Sequence, residues 1–134
     1  MRPNTLAETM TRIKSGEPLE KALPEFLDAF YLAPDDVRRA EMLRDEPPTI
    51  GTRDDALMGA VAEYLAHEYG LPQAPAWAYA PVRYLERAWH TTPFDDDGMR
   101  EYLTFCSPAE FASRNIFTEE RPLRRARGPH RLAE

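Results

Sequence analysis

The stretch TRDDALMGAVAEYLAHEYG, residues 52–70, decides the fold class. Thr52 and Asp55 have the spacing of a capping box, in which side chain and backbone groups at a helix start satisfy each other. Leu57, Ala60, Val61, Tyr64 and Leu65 then recur at three and four residues and form one apolar stripe. Gly70 supplies a stop, since glycine takes the left-handed conformation that closes many helices. The stretch therefore predicts a long helix with a face to bury.

Toward the N-terminus, Asp45 to Gly51 holds adjacent Pro47 and Pro48 and breaks any helical pattern, so 45–51 is the candidate subdivision of the domain. Before it, three helices are expected. Leu6, Met10 and Ile13 share a face after a cap at Asn4 or Thr5, and Gly16 follows. Leu19 to Tyr31 carries a second apolar series, but Pro24 lacks a backbone donor. That series therefore reads as one turn after Pro18 and a main helix over Pro24–Leu32. Pro34 at a first helical position, followed by Asp35 and Asp36, predicts a third helix to about Arg44.

Toward the C-terminus, Leu71–Ala80 is rich in Pro and Ala and is expected to form an irregular connection packed by Trp77. A short helix is expected from Pro81 on Val82, Leu85 and Trp89. Another should span Asp97–Phe105, with Met99, Tyr102, Leu103 and Phe105 as its apolar side chains. Ser107-Pro108-Ala109-Glu110 combines a cap, a proline and a glutamate three residues on, and opens a helix to about Asn115. No alternating apolar run predicts a strand. The expectation is an all-α, compact bundle of five to seven short helices over residues 1–118, with a basic tail over 119–134.

Composition bounds the rest. The chain has 134 residues, 43% apolar and 30% charged, with a single cysteine, Cys106, which suits one globular domain without internal disulfides. No apolar run is long enough to span a membrane, Met1–Ser15 lacks the apolar stretch of a secretory signal, and the default compartment is the cytoplasm. The formal charge of -6 is unevenly placed. Met1–Ser113 holds 11 basic and 20 acidic residues, net -9, while Arg114–Glu134 holds 6 basic and 3 acidic, net +3. An acidic body repels a duplex, which confines any nucleic-acid contact to the tail arginines Arg121, Arg124, Arg125, Arg127 and Arg131. Those same arginines could instead dock on an acidic partner, dock on the acidic body of their own domain, or stay solvated.

Catalytic schemes find no anchor. Glu63 and His67, one helical turn apart, could offer an oxygen and a nitrogen to a metal, the core of a small metal-dependent enzyme, but the second histidine of a zinc-protease helix is missing. An ordinary helix surface accounts for the pair. Asp95-Asp96-Asp97 supplies hard oxygens but lacks EF-hand spacing, and an acidic helix start accounts for it. His90 and His130 have no ligand-like companions, and Cys106 beside Phe105 reads as an inert thiol. There is no glycine-rich phosphate loop and no serine elbow. No cofactor or metal is expected.

The densest stretch is Trp77 to Phe117, with both tryptophans, three tyrosines and four of the six phenylalanines. Such bulk fills the core of a small helical domain. Interleaved with arginines, the same rings also have the composition of a binding hot spot. On the second reading Trp77, Arg83, Tyr84, Trp89, Arg114, Asn115 and Phe117 form a partner-binding surface.

The runs Pro75-Ala76-Trp77, Arg83-Tyr84-Leu85, Trp89, Ser107-Pro108-Ala109-Glu110-Phe111 and Arg114-Asn115-Ile116-Phe117 resemble a group of small, poorly characterised actinobacterial helical proteins. Some of these carry the similar region after a helix-turn-helix module and are grouped with toxin–antitoxin or regulatory components. The resemblance spans about Leu27 to Phe117, and Ser-Pro-x-x-Phe-x-x-Arg-Asn-Ile-Phe is its most distinctive motif. The stretch before Leu27 is too short for a DNA-reading module, so operator recognition is not implied, and neither are catalytic residues. The expected function is a non-enzymatic protein–protein interaction module, antitoxin-like or regulatory. The alternatives are a nucleic-acid accessory factor acting through the tail and the Glu63/His67 metal enzyme.

Overall fold

In the computed structural model, which describes residues 4–92 and 96–125, the helix expected from residues 52–70 becomes the centre of the molecule. Six α-helices occur in the order α1 (Leu6–Lys14), α2 (Leu19–Tyr31), α3 (Asp36–Arg44), α4 (Asp54–Glu68), α5 (Asp97–Cys106) and α6 (Ala109–Ala112). Two 3₁₀ turns, Ala76–Tyr79 and Pro81–Arg83, lie between α4 and α5. The architecture is the expected all-α bundle of short helices, with one small addition. Trp89–His90 (β1) and Ile116–Phe117 (β2) form a two-residue parallel pair, Trp89 opposite Ile116 and His90 opposite Phe117. Two-residue strands leave no alternating pattern to read, and the segment expected to continue as a helix from Pro81 is instead one 3₁₀ turn leading into β1.

Local chemistry sets most helix starts. Thr5 Oγ1 accepts from the Glu8 amide at 3.0 Å, and the Asp35 carboxylate accepts from the Arg38 amide at 2.8 Å, so Asp35 is itself the cap of α3. At α4 the carboxylate of Asp55 turns back and accepts from the Ile50 and Gly51 amides, both at 2.9 Å. The proline-rich segment 45–51 is thereby tied to the helix that follows it. Gly70 ends this region in the left-handed region at φ +61°, with Leu71 N donating to Ala66 O at 2.9 Å.

Packing overrides local preference at two helices. α2 runs through Pro24 without interruption, because the helix buries Ala22, Leu23, Phe26, Leu27, Phe30 and Tyr31. A side chain of this class contributes roughly 1.5–3 kcal/mol when fully buried, which outweighs one missing hydrogen bond near a helix start. The C-terminal carbonyls of α2 are held from α3, where Arg39 donates to Phe30 O at 3.1 Å and Ala33 O at 3.0 Å with its guanidinium 4.5 Å from the Tyr69 ring. α4 buries far more than one stripe: besides Leu57, Ala60, Val61, Tyr64 and Leu65, it buries Ala56, Met58, Gly59, Ala62 and Ala66. α6, both 3₁₀ turns and α1 pack on it, and its buried residues share one core with those of α2 and α3.

The folded body continues beyond residue 118. Leu123 is buried in the core, and its carbonyl accepts from the Tyr31 hydroxyl at 2.8 Å. Arg125 then grips Asp28 of α2 with two hydrogen bonds, 3.0 and 3.1 Å. Among the described residues no helix is long and apolar enough to cross a membrane.

Candidate functional site

Two arginines, Arg83 and Arg114, are the largest fully buried side chains, each with no exposure. Both pack against Gly59 in the middle of α4. A Cβ built on Gly59 would stand 2.8 Å from Arg83 Cβ, 3.0 Å from Arg114 Nε and 3.1 Å from the Ala78 carbonyl oxygen. The missing side chain is what lets both arginines cross the helix. Gly59→Ala would raise helix propensity by about 1 kcal/mol at an exposed site. Here it is expected to destabilise by about 1–3 kcal/mol through overpacking, measured by urea unfolding.

Arg114 donates through Nη1 to Glu63 Oε1 at 2.7 Å and to the Glu110 carbonyl at 2.8 Å, and through Nη2 to the Ala78 carbonyl at 2.8 Å. Its guanidinium lies 4.6 Å from the centre of the Tyr84 ring. Arg83 donates to Pro47 O at 2.7 Å and Asp55 O at 3.2 Å, and approaches Glu46 Oε2 at 3.5 Å over the Trp77 ring. The Nε of each has no partner among the described residues. Trp77 is partly buried and donates from its indole to Leu43 O at 2.9 Å.

Of the seven residues expected at a partner surface, Arg83 and Arg114 are buried, while Trp77, Tyr84, Trp89, Asn115 and Phe117 are partly exposed. Arg83 and Arg114 face inward, which corrects their expected exposure: carbonyls and aromatic faces solvate each guanidinium, and Glu46 beside Arg83 and Glu63 beside Arg114 supply the counter-charge. Asn115 adopts φ +63°, donates from its side chain to Leu85 O at 2.7 Å, and presents its carbonyl to Trp89 N at 2.7 Å. Asparagine tolerates this left-handed geometry better than most residues. Phe117 stacks on His90 at 5.0 Å, and Trp89 lies under the Arg53 guanidinium at 4.1 Å. The motif Ser-Pro-x-x-Phe-x-x-Arg-Asn-Ile-Phe thus has structural duties throughout: Ser107 Oγ accepts from Thr118 N at 2.7 Å, while Phe111, Arg114 and Ile116 are buried. Ser107 is therefore not the expected cap, and α6 ends at Ala112, short of Asn115.

Glu63 and His67 diverge. Glu63 accepts from Arg114 and, at 2.6 Å, from Tyr79, whereas His67 Nδ1 meets Glu110 Oε2 at 2.5 Å. No group of three or more potential metal-ligating side chains exists among the described residues. Burial opposes the Glu63 charge, but the hydrogen bonds from Tyr79 and Arg114 and the Arg114 charge outweigh it, leaving the carboxyl below its ordinary pKa. The Tyr79 phenol is pushed up to about 12, first by its hydrogen bond to Glu63. A depressed carboxyl stabilises above its unfolded pKa and loses that contribution as pH falls through the folded value. The stability advantage of the natural chain over Glu63→Gln is expected to be greatest near neutrality and to shrink below about pH 4 in thermal melts; a gap that does not vary with pH would refute it.

The exposed chemistry lies elsewhere, on α5. Of this helix only Leu103 is buried, while Met99, Tyr102 and Phe105 are 36, 51 and 80% exposed. α5 rests on the β pair, with a 3.2 Å contact between Thr104 Oγ1 and His90 Nε2. A groove of about 420 Å³ runs along its base, lined by Thr91, Met99, Tyr102, Thr118, Glu119 and Pro122 among others. The Tyr102 phenol has a raised pKa, first through its hydrogen bond with Cys106 and further through the nearby charges of Glu120 and Glu119. By sequence these rings are the apolar side chains of a helix within an aromatic stretch that suits either core or contact surface; the polar residues around Leu103 are the signal for the second. Asp96 caps Gly98, and Asp97 pairs with Arg100, which accounts for both acids at the helix start. Asp95, Arg127, His130 and Arg131 lie outside the described residues. Of the tail, Arg125 is held by Asp28, Arg124 lies 3.8 Å from Glu119, and Arg121 is exposed.

No protein family, curated protein or solved structure matches this chain. Its site is read from its own geometry.

Proposed function

We propose that this protein is a non-enzymatic interaction module that docks a protein partner on the outer face of α5, in the antitoxin-like or regulatory capacity that its motif resemblance implies. The observation that carries the reading is a helix that buries one leucine while leaving Tyr102 51% and Phe105 80% exposed. Neighbouring rings held outward on a helix, beside a groove, have the composition of a hot spot, and contiguous apolar exposure on a soluble domain marks a contact site.

A photo-crosslinking residue at Phe105, with the same residue at Val37 as control, tests this in the native host. Val37 on α3 is 74% exposed and apolar, so general stickiness marks both sites alike. The expected result is one adduct of discrete mass from Phe105 and none of that mass from Val37. Identical adducts from both positions, or none from either, would reject the reading.

A further inference from the structure

Charge around the α5 face narrows what could cover it. On an ideal helix, Tyr102 and Phe105 lie on adjoining sectors, Met99 extends the band past Tyr102, and Glu101 lies on the far side of Phe105. The opposite margin carries two more carboxylates, with Arg121 and Arg124 following them in the chain. Glu119 lines the groove with Tyr102, and Glu119 and Glu120 are both exposed. Glu101 and Glu120 make no ion pair among the described residues. Glu119 has only Arg124, at 3.8 Å and with both side chains half-exposed, a weak pairing in water. The surface is an apolar band with carboxylates along both edges.

We propose that the occupant of this band is a cationic amphipathic helix of a protein partner, its apolar stripe on Met99, Tyr102 and Phe105 and its flanking Lys or Arg residues on Glu101, Glu119 and Glu120. The inference rests on the docking function proposed above and adds the partner's chemistry to it. An apolar stripe with basic edges is the complement of an apolar band with acidic edges, in shape and in charge. An acidic or nucleic-acid partner would bring like charge to the carboxylates on both edges.

The test uses the full chain and two labelled probe peptides of about 18 residues, long enough to form a helix on contact. Both place Leu at helical spacing; one carries Lys on the stripe's edges, the other Glu. Fluorescence anisotropy near physiological salt is expected to show the Lys probe binding at least about tenfold more tightly than the Glu probe. Phe105→Asp then separates docking from simple attraction: it makes the face more acidic, so non-specific electrostatics would tighten the Lys probe, whereas docking on the band requires a loss of about tenfold or more. The triple variant Glu101→Gln, Glu119→Gln, Glu120→Gln should weaken the Lys probe several-fold and flatten its salt dependence. Equal or tighter binding of the Glu probe, or a Lys probe unaffected by Phe105→Asp, overturns the inference. A Phe105 crosslink to a partner combined with preference for the Glu probe rejects this partner chemistry alone. No crosslink and no binding of either probe rejects the docking function with it.

Discussion

Arg114→Ala is expected to cost the folded state about 3–5 kcal/mol, the range found when one partner of a buried ion pair is removed. The substitution leaves Glu63, only 13% exposed, without its cation, and leaves the Glu110 and Ala78 carbonyls without their donor. It also opens a space beside Gly59 and under Tyr84. Against a total stability of about 5–15 kcal/mol for a domain of this kind, this is enough to leave a substantial unfolded population at physiological temperature. Urea denaturation gives the comparison. The double variant Arg114→Met, Glu63→Leu should recover most of the loss, since an apolar pair of similar volume removes both charges together. A single substitution costing less than about 1 kcal/mol would mean that the guanidinium is not held inside. Because the loss is global, Arg114→Ala is unsuitable for mapping an interface.

Arg83→Ala should be nearly as severe, about 2–5 kcal/mol, for a different reason. Its nearest carboxylate, on Glu46, is 3.5 Å away and largely exposed, so the main loss is the donor shared by the Pro47 and Asp55 carbonyls, together with the packing under Trp77. Arg83 fastens the proline-rich segment before α4 to α4 itself, and Asp55 fastens it again at Ile50 and Gly51. Hydrogen exchange at those two amides should therefore accelerate in Arg83→Ala more than at Leu65 or Ala66 in the body of α4. Arg83→Met, which keeps volume but not donors, should fall between the natural chain and the alanine variant. Uniform acceleration along α4 would show that the segment has no separate attachment through Arg83.

The segment 45–51 shows what composition reveals and what it leaves to long-range contacts. Adjacent prolines do exclude a helix, and the break is there. Backbone groups there that cannot bond within a helix are taken up instead by a buried arginine and a buried aspartate. The basic tail is a similar case. Five arginines without an acid read as a solvated end, yet Leu123 and Arg125 return to α2, where a tyrosine and an aspartate spaced three apart receive them. Docking on the acidic body was one of the alternatives the charge distribution allowed; which alternative holds depends on side chains nearly a hundred residues away.

Sequence alone determined the all-α class, the start of the first helix at the Asn4–Thr5 pair, the break at the paired prolines, the left-handed stop at Gly70 and the burial of Leu57, Val61 and Leu65, because each depends on groups within a turn or two of the chain. Tertiary structure decided which arginines and aromatics face inward. Arg114 meets Glu63 across 51 positions and Ala78 across 36, and only the absence of a side chain at Gly59 admits the crossing. The same long-range packing gave α4 partners on several sides and α5 a partner on one. Rings that local spacing marked as core were left on the surface because nothing in the described chain covers the outer face of α5.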